Sequence, residues 1–203
     1  MTVSVTYEPY LSGVSIDQYL SAWRTGFGTT DSYSGGGFND GANSGNQFAT
    51  RGGNGTNYAL IAGSESQNGL HYYREPLLPE DSNANLYFHG ALDSIDLGHT
   101  LARDGSGHYS TGYLKVGFAG LGLSASEGAG VAGNAVHGLI HGLMRGDTSA
   151  LEGVLDTLLA DYGVSTDNTF AVIDAALAHG PVLANPAPAL GVHALPEDLA
   201  LVA

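Results

Sequence analysis

The chain has no cysteine, which removes disulfides, zinc–thiolate sites, iron–sulfur clusters and thiol nucleophiles in one step. Cations are nearly as scarce: 6 Lys and Arg stand against 20 Asp and Glu, a formal net charge of -14. Nucleic acid and anionic membrane surfaces are bound through clustered Lys and Arg, so neither is an expected partner. No apolar run nears the roughly 20 residues that cross a bilayer, so membrane insertion is not expected. The N-terminal stretch has neither a basic segment nor a continuous apolar one and does not read as a Sec signal peptide. What the 203 residues do hold is 31 Gly and a hydrophobic content of 43%, enough for a packed core in one domain. An acidic, Gly-rich, Cys-free chain favours export by a route without an N-terminal signal over a cytosolic home.

Alternation of Val3, Val5 and Tyr7 with polar residues predicts a half-buried strand at the start. Ser15 and Gln18 have capping-box spacing, and Ile16, Leu20, Trp23 and Phe27 make one apolar stripe that Gly26 and Gly28 end. From Thr29 to Gly55 the composition predicts loop and turn. Strands are expected over Tyr58–Ala62, Leu70–Tyr73, Leu86–Leu97 and Tyr109–Leu123, as an antiparallel meander with one face covered. Helices follow: Val136 to Met144, then Leu151 to Tyr162 with Asp147 or Thr148 as N-cap, then Phe170 to Leu177. Strands grouped together and helices grouped together predict an α+β domain over residues 1–180, one sheet face packed on a helical layer. Pro181, Pro186 and Pro188 then open an extended linker, and 181–203 is read as a flexible tail that ends acidic, then apolar.

Catalytic motifs are missing. There is no G-x-S-x-G elbow, P-loop or dinucleotide fingerprint, and the protein is not expected to be an enzyme. His137 and His141 stand at i, i+4 spacing, but Gly138 occupies the place of the glutamate a zinc hydrolase needs, and both adjoin the apolar stripe. A packed or hydrogen-bonded role fits them better than a metal site. The strand Leu70-His71-Tyr72-Tyr73-Arg74 puts its two tyrosines on opposite faces, so only one serves a given pocket. A tyrosine can hold ferric haem iron as phenolate, provided the iron and a nearby acceptor or positive field overcome a reference pKa near ~10.

Many segments in shared order resemble the HasA family of secreted bacterial haem-scavenging proteins, the hemophores. They run from Asp17-Gln18-Tyr19-Leu20, Trp23 and Phe27-Gly28 through Gly37-Phe38-Asn39, Leu70-His71-Tyr72 and Leu92-Asp93-Ser94-Ile95. They continue with Val136-His137, Gly142-Leu143-Met144, Ser149-Ala150-Leu151 and Asn168-Thr169-Phe170, and end in Leu195-Pro196-Glu197-Asp198-Leu199. The resemblance covers nearly the whole chain. It implies a curved antiparallel sheet packed on one face by about four helices, with haem b, ferric iron protoporphyrin IX, held between two loops. It also implies export by a type I ABC transporter that reads the C-terminal tail, an extracellular monomer, and delivery of haem to an outer-membrane receptor.

The family's tyrosine ligand falls on Tyr72. The position of its histidine ligand is taken by Ser32, in a shorter loop, and the loop between Tyr73 and Phe88 is longer and lacks the histidine that supports the tyrosine. Arg74, His89 or His141 stand as compensating groups. His141 replaces an aromatic position of the family and reads as a wall residue, a hydrogen-bond partner or a replacement ligand. The expected haem site is therefore Tyr72, His137, His141 and Met144, with Ser32, Tyr33, His141 or water at the second axial position. With so few cations, the propionates are expected to face solvent or backbone N–H groups. The alternative reading is a module of the same fold that has lost tight haem coordination and serves binding or receptor interaction.

Overall fold

A computed structural model of the chain describes residues 2–30 and 35–182. Ser32, Tyr33 and the expected C-terminal tail from 183 onward lie outside the described residues. Eight strands form one antiparallel sheet: β1 (Ser4–Tyr7), β2 (Gly37–Phe38), β3 (Ser44–Gly45), β4 (Gln47–Arg51), β5 (Tyr58–Gly63), β6 (Leu70–Tyr73), β7 (Tyr87–Arg103) and β8 (Tyr109–Ala125). Among the described residues four α-helices accompany them: α1 (Ile16–Phe27), α2 (Ala135–Met144), α3 (Ser149–Ala160) and α4 (Phe170–His179). The strand order is β1-β8-β7-β5-β4-β2, with β6 pairing both β7 and the short β3.

The long β7–β8 hairpin organises the sheet. Along β7, Tyr87–Gly90 pairs with β6, and Ser94–His99 pairs with β5. The register shifts between Leu92 and Ser94 and again between Leu97 and His99; such irregularities bend a strand and increase its twist. The bend brings the far end of the hairpin back over β4, a strand it does not pair with. There the Gln47 amide holds the backbone of Tyr109, accepting from its N–H at 2.7 Å and donating to its carbonyl at 3.2 Å.

One face of the sheet carries the main core. Leu60, Ala62, Leu92, Ile95, Leu97, Val116 and Phe118 meet Leu20, Trp23 and Phe27 of α1, Leu139, Ile140 and Leu143 of α2, and the buried stripes of α3 and α4. The expected α+β layering is present. The other face is not bare, however: the curl buries a second, smaller cluster of Ala49, Ala59, Ile61, Leu101 and Tyr109. Among the described residues, no helix is long and apolar enough to cross a membrane.

Three expectations change. The stretch 29–55 holds β2, β3 and β4 rather than only loop; β4 is five residues long, with a fully buried Phe48, and so short a run amid Gly and Asn carries little periodicity. The strand expected to stop at Leu97 continues to Arg103. Gly98 is not a terminator there; it makes room for Thr111, whose side chain would sit 2.8 Å from a Cβ at that position. α3 begins after Thr148, but the Thr148 hydroxyl bonds Glu152 instead of capping, while Asp147 accepts from the Ser149 N–H.

The α1 signal holds except at Gly26, which lies inside the helix and does not end it. Ser15 and Gln18 form a reciprocal capping box, and Gly28 ends the helix at φ +68. Trp23 is fully buried, stacks on Phe27 at 4.4 Å and donates from Nε1 to the Ala59 carbonyl at 3.2 Å, so it joins α1 to β5. Trp23→Ala is therefore expected to lower unfolding free energy by about 3–5 kcal/mol, read from the urea midpoint. Ser15→Ala, which removes only the cap, costs about 1 kcal/mol.

Candidate functional site

Strand alternation decides which tyrosine of β6 faces inward. Leu70 belongs to the main core and Tyr72 packs against it. His71 and Tyr73 take the outer face, stacked on His89 and Tyr87 of β7. Tyr72 is half-buried, opposite Phe88 in the register, with the two rings 4.9 Å apart. Its backbone N–H goes to the carbonyl of Asn43 at 2.8 Å, fixing the strand on its β3 side.

The N-terminus of α2 grips β7 at that same Phe88. Asn134, the N-cap, accepts from the His137 N–H at 2.9 Å and donates to the carbonyls of Phe88 and Gly130 at 2.9 and 2.8 Å. Nδ1 of His137 accepts the N–H of Phe88 at 3.3 Å. Both backbone groups of Phe88 thus end on α2, a direction in which no strand offers a partner. The bond from Phe88 also fixes the tautomer of His137: with Nδ1 accepting, the proton sits on Nε2. Burial, reinforced by the neighbouring His141, pushes the pKa of His137 down to about 4. The two imidazoles lie stacked one helical turn apart, centroids 4.9 Å apart and planes 17° apart.

The third wall is the segment between Arg74 and Leu86. It contains no histidine, but it is built around one asparagine. Asn85 is buried; its Oδ1 accepts the N–H groups of Glu75 and Leu86, and its Nδ2 donates to the carbonyls of Glu75, Leu78 and Pro79, at 2.8–3.3 Å. Asn83 ties the same loop to the approach of α2, accepting the N–H of Val131 on its carbonyl and that of Ala132 on its side chain. Leu86 takes the left-handed conformation, φ 56, where the loop turns into β7.

These three walls enclose a cavity of about 850 Å³, within the range of small-molecule and cofactor sites. Tyr72, Phe88, His137, His141 and Met144 line it, and Arg74 and Arg145 border it as well. Thr30, just before the undescribed segment 31–34, reaches its edge, its N–H bonded to the Met144 carbonyl at 2.8 Å.

The whole chain, residues 1–203, matches the family model described as Heme-binding protein A (HasA). The chain belongs to the HasA family. The hemophore HasA of Serratia marcescens is 36% identical over 187 residues, which cover 89% of this chain and 94% of that one. Two solved structures of the Yersinia pestis hemophore HasA share the fold. The apo form is 23% identical, with a TM-score of 0.65 over 84% of this chain and 94% of its own. The holo form is 22% identical, with a TM-score of 0.65 over 84% and 95%. Membership places this chain with haem carriers rather than enzymes.

Within this HasA fold, four of the expected residues, Tyr72, His137, His141 and Met144, come together on one cavity. His89 does not. Its place opposite His71 puts it on the outer face of the sheet, where burial and the His71 ring hold its pKa below the ordinary histidine range. It is no support for Tyr72. Cations are few, as expected, but two of the chain's six Lys and Arg border the cavity. Asn134, Asn83 and Asn85 were not foreseen. Asn134 carries a readable signal, an N-cap residue before an apolar run, whereas the loop asparagines carry none.

The lowered pKa of His137 has a sign. The unfolded chain binds a proton on this side chain near ~6.5, while the folded chain takes it up only near 4. The contribution of neutral His137 is present above pH 6.5 and is lost as the pH falls towards 4. His137→Asn keeps an acceptor for the Phe88 N–H but cannot titrate. Denaturation midpoints measured at pH 7 and 4.5 are expected to fall less in this variant than in the wild type.

Proposed function

We propose that the protein is a hemophore that binds ferric haem b in this cavity, with Tyr72 as iron ligand. The observation that carries the reading is the position of Tyr72: half-buried on the cavity wall, braced by Phe88, across from the helix that presents His137, His141 and Met144. The donor set fits the group, combining a phenol oxygen for ferric iron, apolar and aromatic walls for the macrocycle, and two arginines for its carboxylates.

When bound, haem supplies a Lewis-acidic ferric centre that favours the phenolate. The protein's part is to hold Tyr72 in place and limit water. Phe88 packs on the tyrosine ring, and the Asn43 carbonyl anchors its backbone. His137 is neutral, with Nε2–H as its remaining donor, and its stacked neighbour His141 and Met144 complete the helical wall. Arg74 and Arg145 would meet the propionates, opposed by Glu80 and Asp81 on the same cavity. Ser32, Tyr33, His141 or water would supply any second ligand to the iron.

The delivery route belongs to the same reading. A secreted monomer leaves through a type I ABC exporter that recognises the tail from 181 onward, then hands haem to an outer-membrane receptor. The acidic, Cys-free composition and the Leu195–Leu201 segment support this. The domain proper is residues 1–180. A second reading, the same fold without tight haem coordination, is favoured by one feature: the loop between Tyr73 and Tyr87 has no histidine.

Hemin titration separates the two. A stoichiometric Soret shift that Tyr72→Phe abolishes supports the hemophore; weak, featureless association with no effect of Tyr72→Phe supports the second reading. The arginines give a further expectation. Arg74→Ala with Arg145→Ala should speed haem release about tenfold, and the difference should shrink at high salt.

A further inference from the structure

The outer face of β6 holds a second constellation that haem does not use. His71 and His89 are directly opposite in the β6–β7 register, both partly exposed, with ring centroids 5.0 Å apart and planes 14° apart. We propose that His71 and His89 form a chelating site for a divalent late transition-metal ion, Cu²⁺ in preference to Zn²⁺. This site lies behind the Tyr72 cavity and is independent of the haem reading.

The spacing suits the chemistry. With metal–nitrogen bonds of about 2.0–2.1 Å, two cis imidazoles on one ion have centroids roughly 4.5 Å apart on a square-planar ion and roughly 5 Å apart on a tetrahedral one. The strands already hold the pair at that separation, and it is the His89 ring that must turn, since His71 is held in place by Asn68. Rotation about the last side-chain torsion of histidine is broad and costs little.

One ring is also set in the required tautomer. Nε2 of His71 lies 2.6 Å from the carbonyl of Asn68. A carbonyl only accepts, so Nε2 carries the hydrogen and Nδ1 keeps its lone pair for a metal. An imidazole whose other nitrogen donates to a backbone carbonyl is the usual arrangement of a metal-bound histidine.

Burial and the His71 ring keep His89 neutral, the form that ligates a metal, and one carboxylate, that of Glu127, acts on it in the opposite sense; its neighbour Gly128 is tied to the Tyr87 hydroxyl at 2.9 Å. No cluster of three metal-ligating side chains occurs among the described residues. The protein therefore gives two nitrogens, and water completes the shell. Imidazole ligands suit copper, nickel and zinc, and affinity peaks at Cu²⁺. A bound ion would cross-link β6 to β7 beside Tyr72.

The test uses the full chain, free of haem and of any polyhistidine extension, titrated with Cu²⁺. One equivalent should bind, with an electron paramagnetic resonance spectrum split by two nitrogens. His71→Ala and His89→Ala should each weaken binding by more than about tenfold, while His141→Ala should not. In the unmodified chain, substoichiometric Cu²⁺ should selectively broaden the ring signals of His71 and His89, a readout that needs no variant to fold. Absence of stoichiometric binding, or binding that persists in both variants with other histidines broadened, overturns the proposal. A failed hemin titration would sink the haem reading and leave this result untouched.

Discussion

The cavity depends on one docking interaction, the grip of α2 on Phe88. A strand residue whose N–H and carbonyl point away from a neighbouring strand must find partners elsewhere, or its burial is costly. Here Asn134 takes the carbonyl and His137 takes the N–H. That pair fixes the distance of α2 from β7 and its rotation about its own axis. Once His137 is committed to Phe88, the i+4 and i+7 positions of α2 place His141 and Met144 along the same wall. The next strand, β6, then presents Tyr72 to them through its ring contact with Phe88. Phe88 thus joins helix and strand through its backbone and tyrosine through its ring.

Much of this was legible, for reasons that differ by element. The α1 cap and stripe are local and were readable residue by residue. Strand alternation told that Tyr72 and Tyr73 part company, but not which face the helices would cover; that follows from Leu70, whose burial on the core side carries Tyr72 with it. The packed, hydrogen-bonded role of His137 was visible in its place beside an apolar stripe, although its partner is 49 residues away in sequence. β4 and the extension of β7 were not legible. Both depend on long-range packing: a buried Phe48 in one case, and Thr111 filling the space of an absent Gly98 side chain in the other. The loop after Arg74 read only as long and lacking histidine, because an asparagine that staples five backbone groups has the same letter as one in solvent.

Charge distribution refines the reading of the acidic composition. A net charge of -14 repels a carboxylate-bearing ligand at long range. At contact, two arginines on the cavity matter more than the total, because a paired carboxylate feels its neighbour before it feels the distant surface. Glu80 and Asp81 on the same cavity hold this attraction in check. On the proposed function, such a balance would suit a carrier that must give up its cargo: the apolar walls and Tyr72 would supply affinity, and the mixed rim would leave release accessible.

The chain builds two stacked histidine pairs of nearly equal geometry, one at 4.9 Å and 17°, the other at 5.0 Å and 14°. Their surroundings give them different chemistry. In the α2 pair, His137 is buried and its Nδ1 is taken by a backbone donor, so it is a neutral structural element whose ring orientation is fixed. In the β6–β7 pair, both rings are partly exposed and His71 meets a backbone acceptor, which leaves a lone pair free instead of consuming one. A donor opposite Nδ1 makes a wall, and an acceptor opposite Nε2 makes a ligand. Ring spacing alone does not separate these outcomes; the polarity of the backbone group that each imidazole meets does.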